Sequence, residues 1–139
     1  MIGAIIAAKS VRAAFDSLNQ RDAAQFLAAW ADDATFVYPG DLPVSGEFAG
    51  KAAIEAWFQR FLEQFPKIHF TVESVGVDNI FDFTGTNVVA AQWKLALTNR
   101  HGRDLENRGV TVIALEKGKG VQVRDYIWDH SALKEAWAE

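Results

Sequence analysis

The sequence predicts an α+β fold in which a strongly curved, mixed or antiparallel sheet forms a cone and N-terminal helices cover a concave pocket. Apolar residues recur at helical spacing over much of the first 65 residues, with one interruption at residues 19–22. Four segments rich in β-branched and aromatic residues follow, and turn residues separate them. Helices followed by a long meander are typical of α+β domains, and strands of ten or more residues twist and curl.

The N-terminal half is expected to hold three helices and two short strands. Residues 4–32 predict two helices, with Asp22 as the N-cap of the second, and their apolar positions are Val11, Ala14, Phe15, Leu18, Phe26, Leu27 and Trp30. Residues 34–38 and 44–48 predict short extended segments on either side of a loop with two prolines. Residues 51–65 predict a strongly amphipathic helix that Pro66 ends.

The C-terminal half is expected to be mostly strand. The predicted strands are residues 68–78, 87–98, 105–116 and 121–128, with hairpin turns at residues 99–102 and 117–120. A short closing helix is predicted over residues 132–137, with Asp129 or Ser131 as its cap.

Length and composition limit the possible classes of function. The 139 residues suit one domain spanning residues 1–139, and the net charge of -4 comes without a basic stripe, which argues against a nucleic-acid partner. There is no cysteine, and the three histidines are too far apart for a recognised metal motif, so we expect no metal. The apolar residues at the N-terminus are too few to span a bilayer, so we expect no membrane association and a cytoplasmic location.

Asp125 is the leading candidate for a catalytic group. It alternates with Val123 and Ile127, so the three side chains share one face of a strand. On a concave face the carboxylate would point into an apolar pocket, where desolvation raises its pKa into the range useful for proton transfer. The alternative is a surface aspartate paired with Arg124 or with a lysine on the neighbouring strand.

Several other side chains could contact a ligand. Tyr38 ends the first strand and could present its hydroxyl to a ligand, or pack as an ordinary core or rim tyrosine. Asn107 and Thr111 share a strand face with Gly109 and could offer polar contacts. The aromatic residues at core positions are expected mainly to pack, with ligand contact as the alternative: Phe15, Trp30, Trp57 and Phe61.

The order of these elements resembles the SnoaL-like, or nuclear transport factor 2-like, superfamily. The resemblance rests on a helix followed by residues 30–36, on Gly50-Lys51-Ala52-Ala53-Ile54, and on a meander that ends in residues 123–126. It covers residues 11–133 and implies the cone fold. Members include ketosteroid isomerases, polyketide cyclases, limonene epoxide hydrolases and scytalone dehydratases, together with binding domains that are not enzymes. The resemblance therefore implies a fold more specifically than a function.

The catalytic sets of two relatives can be compared by position. Ketosteroid isomerase would require a tyrosine and two aspartates where this chain has Phe15, Tyr38 and Thr111. The resemblance therefore does not extend to steroid isomerisation by that mechanism.

Limonene epoxide hydrolase is more similar at the final strand, where Asp125 matches one catalytic aspartate. Its arginine and second aspartate fall at Gln92 and Lys94, and its water-binding tyrosine and asparagine fall at Phe36 and Tyr38. One of these five polar positions is therefore kept.

The register of residues 87–98 gives two incompatible expectations. Polarity alone places Trp93, Leu95 and Leu97 in the core and Lys94 in water. The register implied by the resemblance places Gln92 and Lys94 inside, where Lys94 could pair with Asp125. The outer face would then be apolar enough to require a homodimer formed sheet to sheet, through Trp93, Leu95, Leu97, Val110, Val112 and Tyr126.

With that register, the sequence and the resemblance together predict a cofactor-free enzyme acting on a small apolar oxygenated molecule by proton transfer. Asp125 would move the proton, and Lys94 or Tyr38 would stabilise negative charge. The expected ligand contacts are Gln92, Asn107, Thr111, Trp57, Phe61, Trp30, Phe15, Phe36 and Ile127. The reaction could be an isomerisation, cyclisation, dehydration or hydrolysis. The alternative is a domain of the same fold that binds a small ligand or a partner without catalysis.

Overall fold

The computed structural model describes residues 2–139, which form four helices and six strands. The elements are α1 (Ile2–Asn19), α2 (Ala23–Ala28), β1 (Trp30–Tyr38), β2 (Gly46–Ala49), α3 (Lys51–Gln64), β3 (Lys67–Val77), β4 (Asn87–Thr98), β5 (Asp104–Glu116), β6 (Lys119–Ile127) and α4 (His130–Ala136). The main difference from the expected elements is at Trp30. It begins β1, where it pairs with Gly120, instead of lying in the second helix.

The six strands form one sheet in the order β2-β1-β6-β5-β4-β3. All neighbouring strands are antiparallel except β1 and β6, which are parallel. The register shifts at two bulges: Glu73 is an extra residue of β3 opposite β4, and Val121 is an extra residue of β6 opposite β5. Bulges of this kind bend strands and strengthen their twist, so the sheet curls without closing. The predicted α+β cone is therefore confirmed.

The β4 side chains face the opposite way from the register that the resemblance implied. Trp93, Leu95 and Leu97 are at most 8% exposed and point into the concave side, whereas Gln92 and Lys94 are exposed on the outer side. The prediction that Gln92 and Lys94 lie inside is therefore wrong, as is the placement of the three apolar residues on a dimer face. Turning the strand over would bury an ammonium group and expose three large apolar side chains, and both changes are unfavourable.

Strands β5 and β6 have the expected faces. Thr111 pairs with both Ala91 and Asp125, so the three residues lie side by side across the concave face. Val110 and Tyr126 pair with each other on the outer face.

Specific hydrogen bonds join the end of α1 to β3 and the α1–α2 turn to α3. Asn19 at the end of α1 exchanges two hydrogen bonds with the backbone of Phe70 in β3, at 2.9 and 2.7 Å. Arg21, in a left-handed conformation, donates to the carbonyls of Phe65 and Leu62 at the end of α3. Asp22 caps α2 by accepting the Gln25 N–H at 3.1 Å, as predicted. No helix within residues 2–139 has the length and apolar character needed to cross a membrane.

The short helix α4 closes the end of the cone near the β4–β5 turn. Asp129 caps it by accepting the Ala132 N–H at 3.0 Å, which agrees with one of the two expected caps. The side-chain amides of Gln64 and Asn99 both donate to the carbonyl of Ala136 at its far end. The helix is therefore fastened at both of its ends.

Candidate active site

The concave sheet face and the helices enclose a cavity of about 110 Å³. Its walls are almost entirely apolar. Seven of the predicted ligand contacts line it: Phe15, Trp30, Phe36, Trp57, Phe61, Thr111 and Ile127. The aromatic rings pack against one another as well as around the space; the ring centroids of Trp57 and Phe36 are 4.8 Å apart. These residues thus belong both to the core and to the cavity wall.

The cavity opens on one side of the cone. Most of its lining is buried, but Ser10 on α1, Ala29 after α2 and Gly118 in the β5–β6 turn are exposed lining residues. These three residues mark the entrance. Asp125 and Tyr38 also line the cavity and are its only ionisable groups within residues 2–139.

Two hydrogen bonds position the Asp125 carboxylate. The Trp93 indole N–H donates to the Thr111 hydroxyl oxygen at 2.9 Å. The Thr111 hydroxyl in turn donates to Asp125 Oδ1 at 2.7 Å. An indole nitrogen can only donate, so the threonine oxygen must accept from it and point its own hydrogen at the carboxylate. The direction of this chain of hydrogen bonds is therefore fixed.

The second carboxylate oxygen, Oδ2, has no hydrogen bond to any group within residues 2–139. Every fully buried polar side-chain atom within residues 2–139 has a hydrogen-bond partner. Oδ2 has none, so it is not fully buried and retains accessible surface. Since Asp125 lines the cavity, we assign that surface to the cavity. Oδ1 is occupied by the Thr111 hydroxyl, and a proton carried by Asp125 belongs on Oδ2.

Burial raises the pKa of Asp125 from its ordinary value of 3.8 to about 7. The hydrogen bond from Thr111 acts in the opposite direction, because it stabilises the charged form, but the desolvation is the larger effect. Near neutral pH both protonation states are populated. The carboxyl group can therefore either accept or release a proton.

Tyr38 is the second polar group at this end of the cavity. Its hydroxyl oxygen accepts the Trp137 indole N–H at 3.0 Å, which leaves the hydroxyl hydrogen free to donate. Burial raises the pKa of Tyr38 above its usual range, and the nearby Asp125 charge raises it further. The phenol therefore stays protonated and can act as a hydrogen-bond donor.

Three predicted site residues lie outside this cavity. Lys94 and Gln92 are on the outer face, where Ser74 Oγ lies 3.3 Å from Gln92 Oε1. Asn107 is half-buried, but its side chain exchanges two hydrogen bonds with the Asp129 backbone and so fixes the start of α4. The proposed pairing of Lys94 with Asp125 is therefore wrong. Asn107 has a structural contact in place of the expected ligand contact.

No cluster of three or more metal-binding side chains exists within the described part of the chain, residues 2–139. The cavity itself offers one carboxylate and one phenol, set among apolar groups. The carboxylate and the phenol are suited to proton transfer and hydrogen bonding.

The indole N–H groups of Trp93 and Trp137 donate hydrogen bonds within the site, which the sequence did not predict. Each indole N–H donates to a hydroxyl that lines the cavity. A tryptophan in an apolar core needs an acceptor for its N–H, so the sequence indicates that such an acceptor exists but not which residue it is. The two acceptors depend on the cross-strand register of Trp93 and on the contact of Trp137, just after α4, with Tyr38 at the end of β1.

Comparison with known proteins agrees with this architecture. A family model described as the SnoaL-like domain matches residues 11–123. A nuclear transport factor 2-like protein of unknown function from Burkholderia pseudomallei is 17% identical, with a TM-score of 0.82 over 96% of this chain and 98% of that one. A protein from a soil-derived mobile gene cassette is 23% identical, with a TM-score of 0.79 over 98% and 99%.

TerC, co-crystallised with polyporic acid, is 17% identical, with a TM-score of 0.76 over 94% of this chain and 96% of that one. At these identities the structural similarity establishes the fold alone. No protein with a curated description matches significantly. The family match covers most of the sequence, from α1 to β6, and the chain belongs to the SnoaL-like domain family.

Proposed function

We propose that the protein binds a small, mostly apolar oxygenated molecule in the cavity and that Asp125 transfers a proton to or from it. The observation that carries this proposal is the position of Asp125: a carboxyl group with a pKa of about 7 in an apolar cavity, with one oxygen held by Thr111 and the other left free. An ionisable group held without a charge partner costs stability, and such groups are concentrated at functional sites.

In the proposed chemistry, Asp125 Oδ2 removes a proton from a carbon or oxygen of the ligand. The Tyr38 hydroxyl donates a hydrogen bond to the oxygen on which negative charge develops, and the aromatic walls exclude water. Returning the proton to another atom would complete an isomerisation, and returning it to a leaving group would complete a dehydration. A cyclisation uses the same two groups, and a hydrolysis would add one water molecule admitted with the ligand, which Asp125 deprotonates as its oxygen attacks. The co-crystallisation of TerC with polyporic acid supports a small-molecule ligand for this fold.

Replacing Asp125 by asparagine tests the proposal directly. Asparagine keeps the shape but cannot take up a proton, so we expect proton transfer to fall by about 10²–10⁴-fold. The measurement is deuterium exchange at the carbon next to the carbonyl of a small cyclic ketone in D₂O, followed by NMR. Ligand affinity, followed by tryptophan fluorescence, should change only a few-fold.

Asp41→Asn, in an exposed loop, is the matched control and should exchange like the wild type. If the wild-type protein binds ketones but does not accelerate exchange, the alternative function holds: the domain binds a small ligand in the cavity without catalysis. One specific observation favours this binding function: no cationic side chain lines the cavity within residues 2–139.

We further propose that a second copy of the chain covers the outer sheet face. Half-buried Val110 and Val112 lie near its centre beside exposed Tyr126, and an Arg108–Glu73 ion pair at 3.6 Å provides both charge signs on the same face. A two-fold axis could bring such a surface against itself. In sedimentation equilibrium, Val110→Lys should shift a dimer to a monomer. A wild-type monomer at high concentration would contradict the proposal.

A further inference from the structure

The exposed apolar side chains are concentrated at one end of the molecule. Nine large hydrophobic side chains are exposed within residues 2–139, and six of them come from two short segments. These six, which we call the entrance rim, are 46–74% exposed: Ile2, Ile5, Ile6, Ile80, Phe81 and Phe83. Scattered exposed hydrophobic residues are normal, whereas a concentration of this kind marks a binding surface.

The entrance rim lies beside the opening of the cavity. The β3–β4 connection packs against the first turn of α1, where Gly3 approaches the Asp82 carbonyl so closely that a side chain could not fit. The same connection reaches the β5–β6 turn, where the Gly118 N–H donates to the Gly85 carbonyl at 3.0 Å. Ser10 and Gly118 flank the opening, so the connection contacts the helix and the turn that carry these two residues; its contact with α1 at Gly3 is about 10 Å along the helix from Ser10.

The cavity is too small to enclose a ligand of ordinary size. Its volume of about 110 Å³ is below the roughly 300–1,000 Å³ of pockets that enclose drug-sized ligands. A ligand that reaches Asp125 and is longer than the cavity must leave through the opening. Its remainder would then lie against the side chains that flank the opening, and on this side they are apolar.

We propose that the entrance rim is a second subsite, which binds the apolar part of a ligand whose oxygenated end lies at Asp125. The inference rests on the proposed function and specifies its substrate class: elongated molecules with one oxygenated end and an apolar remainder. Phe81 and Phe83 supply the largest exposed rings of the subsite. Ile6 lies one helical turn before Ser10 on α1 and so extends the wall of the opening outwards.

The charge of the rim favours such a ligand over an anionic lipid surface. Residues 78–86, which form the β3–β4 connection, contain two aspartates and no lysine or arginine. With the neighbouring parts of α1 and the β5–β6 turn included, the acidic and basic residues balance and no basic cluster forms: Asp78, Asp82 and Glu116 against Lys9, Lys117 and Lys119. Peripheral binding to anionic membranes relies on clustered basic residues near the apolar contact. A neutral alkyl or ring system has no such requirement.

A homologous series of ligands tests the subsite. The probes are linear 2-alkanones from 2-hexanone to 2-dodecanone, and binding is read from the fluorescence of the cavity tryptophans. For wild type, we expect affinity to keep rising by about two- to fourfold per methylene after the cavity is filled, because further methylenes become buried on the rim. In the Phe81→Ser/Phe83→Ser variant, the rise should stop at the length that fills the cavity.

Trp128→Ser is the matched control, because it removes a ring that is 87% exposed elsewhere on the surface. It should keep the wild-type dependence on chain length, and thermal melting should show that both variants are folded. Equal chain-length dependence in wild type and the rim variant would overturn the subsite. So would vesicle binding by wild type that the rim variant loses, without a change in ketone binding. Failure of even the short ketones to bind would instead contradict the proposed function.

Discussion

Replacing Trp57 by alanine should lower the free energy of unfolding by about 3–5 kcal/mol. Trp57 is 5% exposed, and its indole N–H donates to the Val44 carbonyl at 2.9 Å. Its ring centroid lies 4.6 Å from that of Tyr38 and 5.6 Å from that of Phe61, with which it stacks. The substitution removes all of these contacts and enlarges a cavity that α3 and the sheet cannot easily close.

The measurement is urea unfolding followed by circular dichroism. Trp128→Ala is the matched control: it removes the same side chain from a site that is 87% exposed, and we expect a change of about 0.5 kcal/mol or less. A loss below about 1 kcal/mol for Trp57→Ala would show that the ring lines a loose rim instead of a packed wall.

As the pH rises from 4 to 8, the free energy of unfolding of the Asp125→Asn variant should increase by about 3–4 kcal/mol relative to that of the wild type. The pKa of Asp125 is about 7 in the folded protein against an ordinary value of 3.8, so between these values the folded chain holds a proton that the unfolded chain has lost. The stability contributed by the protonated group is therefore complete below pH 3.8 and is lost as the pH rises through 7. Asparagine does not titrate and shows no such loss.

The comparison uses urea unfolding of both chains at each pH, because titration of the other groups then cancels. Thr111→Val should raise the pKa of Asp125 further, since it removes the hydroxyl that stabilises the carboxylate, and NMR titration of the carboxyl carbon would show this shift. A difference between Asp125→Asn and wild type that does not change with pH would mean that the carboxylate is solvated.

The sequence was sufficient to predict the fold and the position of Asp125 on the concave face, where it lines the cavity. Helical spacing, turn residues and strand alternation located nearly every element, because each signal is local to its own segment. Asp125 was found in the same way, from its alternation with Val123 and Ile127 in β6. Trp30 was misassigned because its apolar character fits either an amphipathic helix or a buried strand, and its pairing with Gly120 decides between them.

The error at β4 has a different origin. Polarity predicts Lys94 in water, which is where the structure has it, whereas the ungapped register of the resemblance predicts it inside the cone. A shift of one residue in an alignment reverses both faces of a strand, so a weak overall similarity cannot outweigh a clear alternation of Trp93, Leu95 and Leu97 with polar residues. The two indole contacts could not be anticipated, because each joins residues distant in sequence: 18 positions for Trp93 and Thr111, and 99 for Trp137 and Tyr38.

The arrangement of the two terminal helices has a practical consequence for handling the protein. The first turn of α1 packs beside Asp82, just before the start of β4, whereas α4 is fastened to Asn99, just after its end. At roughly 3.3 Å per residue, the twelve residues of β4 are nearly 40 Å long measured along the strand, so the two helices contact opposite ends of it. An affinity tag or fluorescent fusion at the amino end would therefore stand next to the cavity entrance and compete with ligands. The same addition at the carboxyl end would leave the entrance clear, and a surface-immobilised sample should be tethered there.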